Sequence, residues 1–414
     1  MSKNLQPLRG MKDILPNEQK IFSSICETAR KLGLQYGFEE MSVPIVEASQ
    51  VYQRTLGDSS DIVSKEMYQF EDRGGESITL RPEFTAGVVR AFITHNLQQN
   101  GKQKLFCCGP LFRYERPQKG RQRQFHQVNF EWFGANEATN DIEILALASR
   151  FLRALSVQAK LEINSLGDEE TRSSYRAALV EYFSAHQHAL SEDSKRRLLQ
   201  NPLRILDSKD EGDRALIINA PKLENYYSES AKERFASICA GLSKLNIEYR
   251  INPTLVRGMD YYTHLIFEYV ADNLGAQNTV LAGGRYDNLV ENMGGQKTPA
   301  IGFAAGIERL ISISQIQIKA PPIFAALSIG SDLEISLLQH VELWRNMGFC
   351  FEILTKGAIG KRLKKASDMG CIAAIMLGEE EQKNATITIK WLESGTSETL
   401  PWSSLANLLS AYRV

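Results

Sequence analysis

Between Pro16 and Leu32 the apolar residues Ile21, Phe22, Ile25, Ala29 and Leu32 recur at helical spacing, with Pro16 able to open the helix and Gly33 and Gly37 to stop it. The period then changes. Phe38 to Glu47 (FEEMSVPIVE) alternates toward a strand, and Pro44, which has no N–H for a ladder, puts that strand at an edge or an interface. Leu105 to Arg113 and Phe125 to Gly134 predict two further strands around a loop with Pro117, Lys119 and Gly120, a long hairpin with a charged tip. Asp141 to Leu155 returns to the helical period, and Lys160 to Ile163 to a strand.

From about Gly167 to Lys244 polar helical segments take over, TRSSYRAALVEYFSAH and SESAKERFASICAGLSKL among them, and read as an inserted helical module. Strand pattern resumes at Arg250 to Asn252, Leu265 to Val270 and Thr279 to Ala282, and IGFAAGIERLISI predicts strand, tight turn and helix. Ala320-Pro321-Pro322 is the best linker. Beyond it, apolar runs at Ile323 to Ile329, Phe349 to Leu354 and Ile372 to Leu377 alternate with helical stretches, predicting a separate α/β domain of about 90 residues. The expected division is therefore 1–166 with 250–319 as the two parts of one domain, 167–249 as the insertion and 321–414 as the last domain.

Composition narrows the classes. A chain of 414 residues, 43% hydrophobic and 23% charged, is expected to fold as a soluble protein of two or more domains. MSKNLQPLRGMKD lacks the apolar core of a leader and no stretch approaches a transmembrane length, so the expected location is the cytoplasm. Six scattered cysteines and six scattered histidines give neither a disulfide framework nor a metal spacing, and no structural zinc is predicted. The formal net charge of -1 gives no overall pull toward nucleic acid. Two local basic segments, Arg113 to Arg123 (RYERPQKGRQR) and Lys356 to Lys365 (KGAIGKRLKK), are candidates for phosphate contact, or simply solvated faces.

Candidate chemistry gathers in four places. LVRGMDYYTHLIFE at Leu255 to Glu268, read with AGGRYDNL ending at Leu289, sets arginine, aspartate and adjacent tyrosines among apolar residues, either as a polar rim of a sheet or as an ordinary strand end. Phe112-Arg113-Tyr114-Glu115, followed by Arg121, Arg123, Phe125, His126 and Gln127, supplies phosphate-clamping and base-stacking residue types. Gln127, Asn129 and Glu131 alternate with Val128 and Phe130 and so share one strand face, which a polar ligand or solvent would satisfy. Gly302 to Leu310 places Arg309 in a helix's first turn, behind small residues that permit close backbone approach.

In this order the pieces resemble the three signature motifs of class II aminoacyl-tRNA synthetases: Tyr36 to Glu47 with Pro44 as motif 1, Phe112 to Gln127 as motif 2 and Gly302 to Leu310 as motif 3. TLRPEFTAG at Thr79 to Gly87, LVRGMDYY and AGGRYDNL make the resemblance specific to the histidyl-tRNA synthetase family, over essentially the whole chain. The resemblance implies an α+β catalytic domain on a mostly antiparallel sheet flanked by helices, a helical insertion over the tRNA acceptor stem and a C-terminal α/β anticodon-binding domain. It implies a homodimer built on motif 1, with L-histidine, ATP carrying Mg²⁺ and tRNA(His) as partners and no organic cofactor or protein metal site.

By the same resemblance, Arg113 bridges the amino-acid carboxylate and the ATP α-phosphate, Arg309 holds the γ-phosphate and Arg257 meets the α-phosphate opposite the attacking carboxylate. Glu115 approaches the adenine, Phe125 stacks on it and Arg121 lies near the phosphates. Glu131 and Tyr262 read the imidazole, while Glu83, Phe84, Thr85, Gln127 and Tyr261 surround the amino and carboxylate end. Arg116, Arg123, Lys361 and Arg362 are the implied tRNA contacts. Phe84 stands where many bacterial relatives carry glycine, implying an altered loop backbone, and His264-Leu265 departs from a polar-small pair expected at the pocket edge. A histidine-binding regulatory relative that does not aminoacylate is the alternative, though such relatives lose motif residues and the anticodon domain.

Overall fold

The computed structural model describes residues 5–413 apart from 58, 59, 61, 119, 120, 257, 258, 260, 275–277 and 319, and the chain divides into two compact units, Met1–Ile316 and Gln317–Val414. In chain order the strands of the first unit are β1 (Glu39–Glu40), β2 (Val46–Ala48), β3 (Tyr68–Glu71), β4 (Ser77–Leu80), β5 (Gln103–Phe112), β6 (Gln124–Phe133), β7 (Lys160–Ser165), β8 (Tyr249–Ile251), β9 (Thr263–Val270), β10 (Thr279–Arg285) and β11 (Ala300–Gly306). Eight of them form one sheet in the order β1-β5-β6-β11-β10-β9-β7-β8. Only its outermost pairs, β1 with β5 and β7 with β8, are parallel. The charged-tip hairpin is β5 and β6, in register from Gln103 opposite Phe133 to Phe112 opposite Gln124.

Alternation along β6 decides which face is core. Val128, Phe130 and Trp132 enter a cluster with Ile25, Ala29 and Leu32 of the helix Pro16–Gln35 and with Ile144, Leu145 and Phe151 of the helix Ala138–Ala154. Their neighbours Gln127, Asn129 and Glu131 face the other way. Over that second face lie the helix Thr85–Thr94 and the helical segments between β7 and β8.

Two local expectations are corrected. Phe38 to Glu47 is not one strand: β1 pairs with β5, β2 pairs with β4 in the small sheet, and Pro44 lies at the crossing, where its missing N–H costs no ladder bond. The buried Arg81 guanidinium fastens this crossing, donating to the Val43 carbonyl at 2.5 Å and the Pro110 carbonyl at 2.9 Å. Gly33 is not a stop signal either. It lies inside the helix, where a Cβ would press on Phe130 and Phe106, and Gly37, at φ +76°, makes the turn.

The segment between β7 and β8 carries the helices Glu169–Ala185, Glu192–Gln200, Glu211–Ile217 and Glu229–Lys244. Two carboxylates tie it: Asp168 accepts from Thr171, Ser228 and Ser230, and buried Asp213 accepts from Ser191, Ser194 and Ser208.

In the second unit β12 (Ile323–Ser328), β13 (Cys350–Ile353) and β14 (Ala373–Leu377) are parallel, in keeping with the alternating apolar runs. An antiparallel pair, β15 (Thr386–Trp391) and β16 (Ser397–Pro401), extends this sheet beyond what those runs predict. TITIKW is short and polar on alternate positions, a weaker signal than a buried apolar run.

Candidate active site

The second face of the large sheet floors a cavity of about 1020 Å³, lined from β6, β9, β10 and β11, from the Glu83–Thr85 turn and from the helical segment. Its two ends differ in charge.

At one end the buried Glu131 carboxylate is held from three sides. Thr85 Oγ1 donates to Oε1 at 2.5 Å, Asn129 Nδ2 donates to Oε1 at 3.0 Å, and the Tyr286 hydroxyl donates to Oε2. Gly302 on β11 makes room for it, since a Cβ there would land on Oε2 and on the Phe130 carbonyl. Burial pushes the Glu131 carboxyl up to about 7, against the pull of those donors. Glu83, also buried, caps the helix that begins at Thr85, accepting from the Thr85 and Ala86 amides at 2.7 Å each, and burial raises its pKa as well. Tyr261 and Tyr262 pack ring to ring at 4.8 Å, and Tyr261 meets Tyr286 edge-on at 5.7 Å, so three buried phenols wall this end.

At the other end three guanidinium groups converge. Arg113 donates from Nε to the Pro82 carbonyl at 2.8 Å and lies 5.2 Å over the Phe125 ring. Arg121 Nη1 is 2.7 Å from Glu115 Oε2, whereas Arg113 Nη1 is 4.0 Å from Glu115 Oε1. Arg309 donates to the Thr279 carbonyl, and its pKa is depressed, first by burial and then by the charge of Arg121, with Arg113 adding a smaller effect. Three like charges around one space, with Glu115 as the nearest counter-charge, fit a polyanion.

Local topology explains why Arg309 points there. β11 ends opposite Gln127, so the His126 amide has no next carbonyl, and Glu308 in the first turn of the helix Ile307–Ile313 takes its place. Its carboxylate accepts from His126 N at 2.9 and 3.1 Å and contacts Nδ1 at 2.8 Å. Arg309, the next residue, is thereby turned into the cavity.

The cavity thus brings together Glu83, Phe84, Thr85, Arg113, Glu115, Arg121, Phe125, Gln127, Glu131, Tyr261, Tyr262 and Arg309. Phe84 leaves its loop unremarkable: φ is -93°, and the ring is buried beneath the Arg81 guanidinium at 4.6 Å. Arg257 and Asp260 lie outside the described residues. Arg116 is exposed on the hairpin, while Arg123 stacks 3.8 Å over Tyr114.

Arg362 is a correction. It is buried and donates through Nη1 to the carbonyls of Ser328 and Leu354, so it cannot present its charge to a partner as Lys361, Lys364 and Lys365, exposed on the same helix Ile359–Asp368, can. His264 is another. It does not line the cavity but is the second residue of β9, at φ +43°, bonded through its backbone to Leu166 and Gly167. Sequence reasoning misses Tyr286, although AGGRYDNL contains it, and misses Arg197, Arg204, Lys209 and Arg214, which line the cavity from the helical segment. No periodic signal marks those four as facing a site on the distant sheet.

Known proteins share this sequence and fold. The Histidyl-tRNA synthetase family matches residues 10–310, and the Anticodon binding domain family matches residues 337–412. The chain is 49% identical over 411 residues to "Histidine--tRNA ligase" of Rhodospirillum rubrum, covering 99% of each, and 45% identical over 415 residues to that of Rickettsia canadensis, covering 100% of each. Apo histidyl-tRNA synthetase of S. aureus superposes with a TM-score of 0.83 at 32% identity, over 98% of this chain and 99% of that one.

Proposed function

The chain belongs to the histidyl-tRNA synthetase family, and from its two-ended cavity we propose how the residues divide the work of an ATP-dependent histidine–tRNA ligase. The acidic end receives the imidazole, whose donor and acceptor pair with Glu131 and the phenols of Tyr262 and Tyr286. A site that pairs both nitrogens leaves analogues with unmet groups, a discrimination of about 10⁴ to 10⁵. Glu83, Thr85 and Gln127 hold the amino and carboxylate end, beside Phe84 and Tyr261.

At the basic end Arg113 bridges the histidine carboxylate and the ATP α-phosphate, Arg309 and Arg121 take the outer phosphates, and Phe125 with Glu115 receives adenine. Arg257 completes the charge at the α-phosphate. A carboxylate oxygen attacks α-phosphorus and pyrophosphate leaves in line, a step that needs positioning and positive charge rather than covalent help from the protein. The ribose hydroxyl at the tRNA 3′ end then attacks the mixed anhydride and AMP departs. Mg²⁺, which favours phosphate and carboxylate oxygens, would be held chiefly by the phosphates with Glu268 as a further carboxylate in the cavity, and would neutralise phosphate charge.

Arg197, Arg204, Lys209 and Arg214 at the cavity wall suit the phosphates of the acceptor end, Arg116 and Arg123 the neighbouring backbone, and Lys361, Lys364 and Lys365 the anticodon arm. The segment around Pro44 forms a homodimer interface, where Ile45 and Val46 are 43% and 44% exposed. Among the described residues no helix is long and apolar enough to cross a membrane.

The observation that carries the activation chemistry is three arginines around one space adjoining a buried carboxylate pocket. It is tested by ATP–pyrophosphate exchange with each amino acid in turn, without tRNA. Exchange with histidine alone is expected. Histidine binding with no exchange would instead identify a regulatory relative.

A further inference from the structure

One buried group in the cavity has no role in this scheme. Asn129, 2% exposed at the middle of β6, donates from Nδ2 to Glu131, but its Oδ1 is buried with no hydrogen-bond partner. An orphaned acceptor in a protein interior costs stability unless a ligand or water meets it, and Asn129 lines the cavity. Its cross-strand neighbours, Cys107 on β5 and Ala304 on β11, are not donors of the required strength, and both are fixed by their ladders.

We propose that Asn129 is a specificity-determining residue of the amino-acid site, its Oδ1 accepting a hydrogen bond from the substrate's α-ammonium group. The inference rests on the reading of Glu131 as the imidazole partner. Same-face positions on a strand are separated by about 7 Å, so Gln127, Asn129 and Glu131 form a row from the arginine end to the phenol end. An amino acid with its ring at Glu131 and its carboxylate toward Arg113 lays its α-carbon abreast of the middle position. The electrostatics favour a cation there, because Glu83 and Glu131 are both buried in the same wall and the charge of Glu83 makes Glu131 harder to ionise. An ammonium beside Oδ1 satisfies the orphan and offsets those charges. The side chain then works in two directions, Nδ2 holding the ring reader and Oδ1 holding the backbone end of the substrate.

The test is calorimetric titration of wild type, Asn129→Ala and Glu131→Gln with L-histidine and with 3-(imidazol-4-yl)propanoate, which keeps ring and carboxylate but lacks the amine. Asn129→Ala is expected to weaken histidine about ten- to a hundredfold more than it weakens the deamino acid, the range for a hydrogen bond to a charged group, since the loss of Nδ2 from Glu131 is common to both ligands. Equal losses for both ligands would overturn the proposal and leave Asn129 only as a positioning residue for Glu131. Unchanged histidine affinity in Asn129→Ala would also overturn it. If Glu131→Gln weakens neither ligand, the ring pocket itself has been misassigned. Thermal unfolding of the unliganded variant is the folding control, and Asn129→Ser, which keeps a short acceptor, is expected to restore part of the histidine-specific loss.

Discussion

The two ends of the cavity solve opposite problems. At the acidic end, donors already surround Glu131, the walls are phenols and Gly302 clears the space, so the pocket is assembled before any ligand arrives. At the basic end, Arg113, Arg121 and Arg309 repel one another, and the ligand's own charge must complete the arrangement. Preformed hydrogen bonding selects by pattern, whereas an excess of positive charge selects by sign and does most once negative charge develops. Selectivity and catalysis are therefore expected to separate by mutation.

The sharpest way to break this contrast is Arg309→Ala. Exchange should fall by roughly 10² to 10³, the cost of one donor to developing charge, with histidine affinity unchanged in a titration without ATP; a matching loss of histidine binding would show that the ends are not independent. Glu131→Gln probes the other end. Histidine affinity should drop on the order of a hundredfold, with ATP affinity unaffected.

The same substitution tests the pocket's electrostatics. Burial raises the Glu131 pKa to about 7, so the folded protein holds this proton more tightly than the unfolded chain does. That contribution is fully present below the ordinary carboxylate pKa and is lost as pH rises through about 7, a change of about 3 kcal/mol at most. Unliganded wild type should therefore lose stability relative to Glu131→Gln between about pH 5 and about pH 8, read from denaturation midpoints. A pH-independent difference would mean that Glu131 is ionised throughout. Smaller again, Tyr286→Phe should weaken histidine about tenfold, the loss of one hydrogen bond to a charged partner, with no effect on exchange at saturating histidine.

Much of the site is legible in the sequence because its chemistry is local in the chain. Arg113, Glu115, Phe125 and Gln127 fall on one hairpin, and the strict alternation through Glu131 marks a polar strand face by backbone geometry alone. Arg362 misleads because a basic helix looks the same whichever side is buried. KGAIGKRLKK does not say which cation turns inward to cap two carbonyls. Tyr286 is hidden for a related reason: it stands beside Arg285, whose charge draws attention, yet Arg285 is wholly buried against Asp141 and it is the tyrosine that reaches Glu131.

The sequence by itself determined the period of most elements, the polar row on β6, the residue types of both cavity ends and, through its motifs, the family. These depend on neighbours within a few residues, where backbone geometry fixes side-chain direction. The tertiary structure alone decided that Thr85, Asn129 and Tyr286 meet on one carboxylate, that Arg309 is aimed by the Glu308–His126 bridge and that the helical segment supplies cations to the cavity wall. Those contacts join residues up to 182 positions apart. Their energy comes from desolvation and pairing in the packed state, which no local pattern encodes.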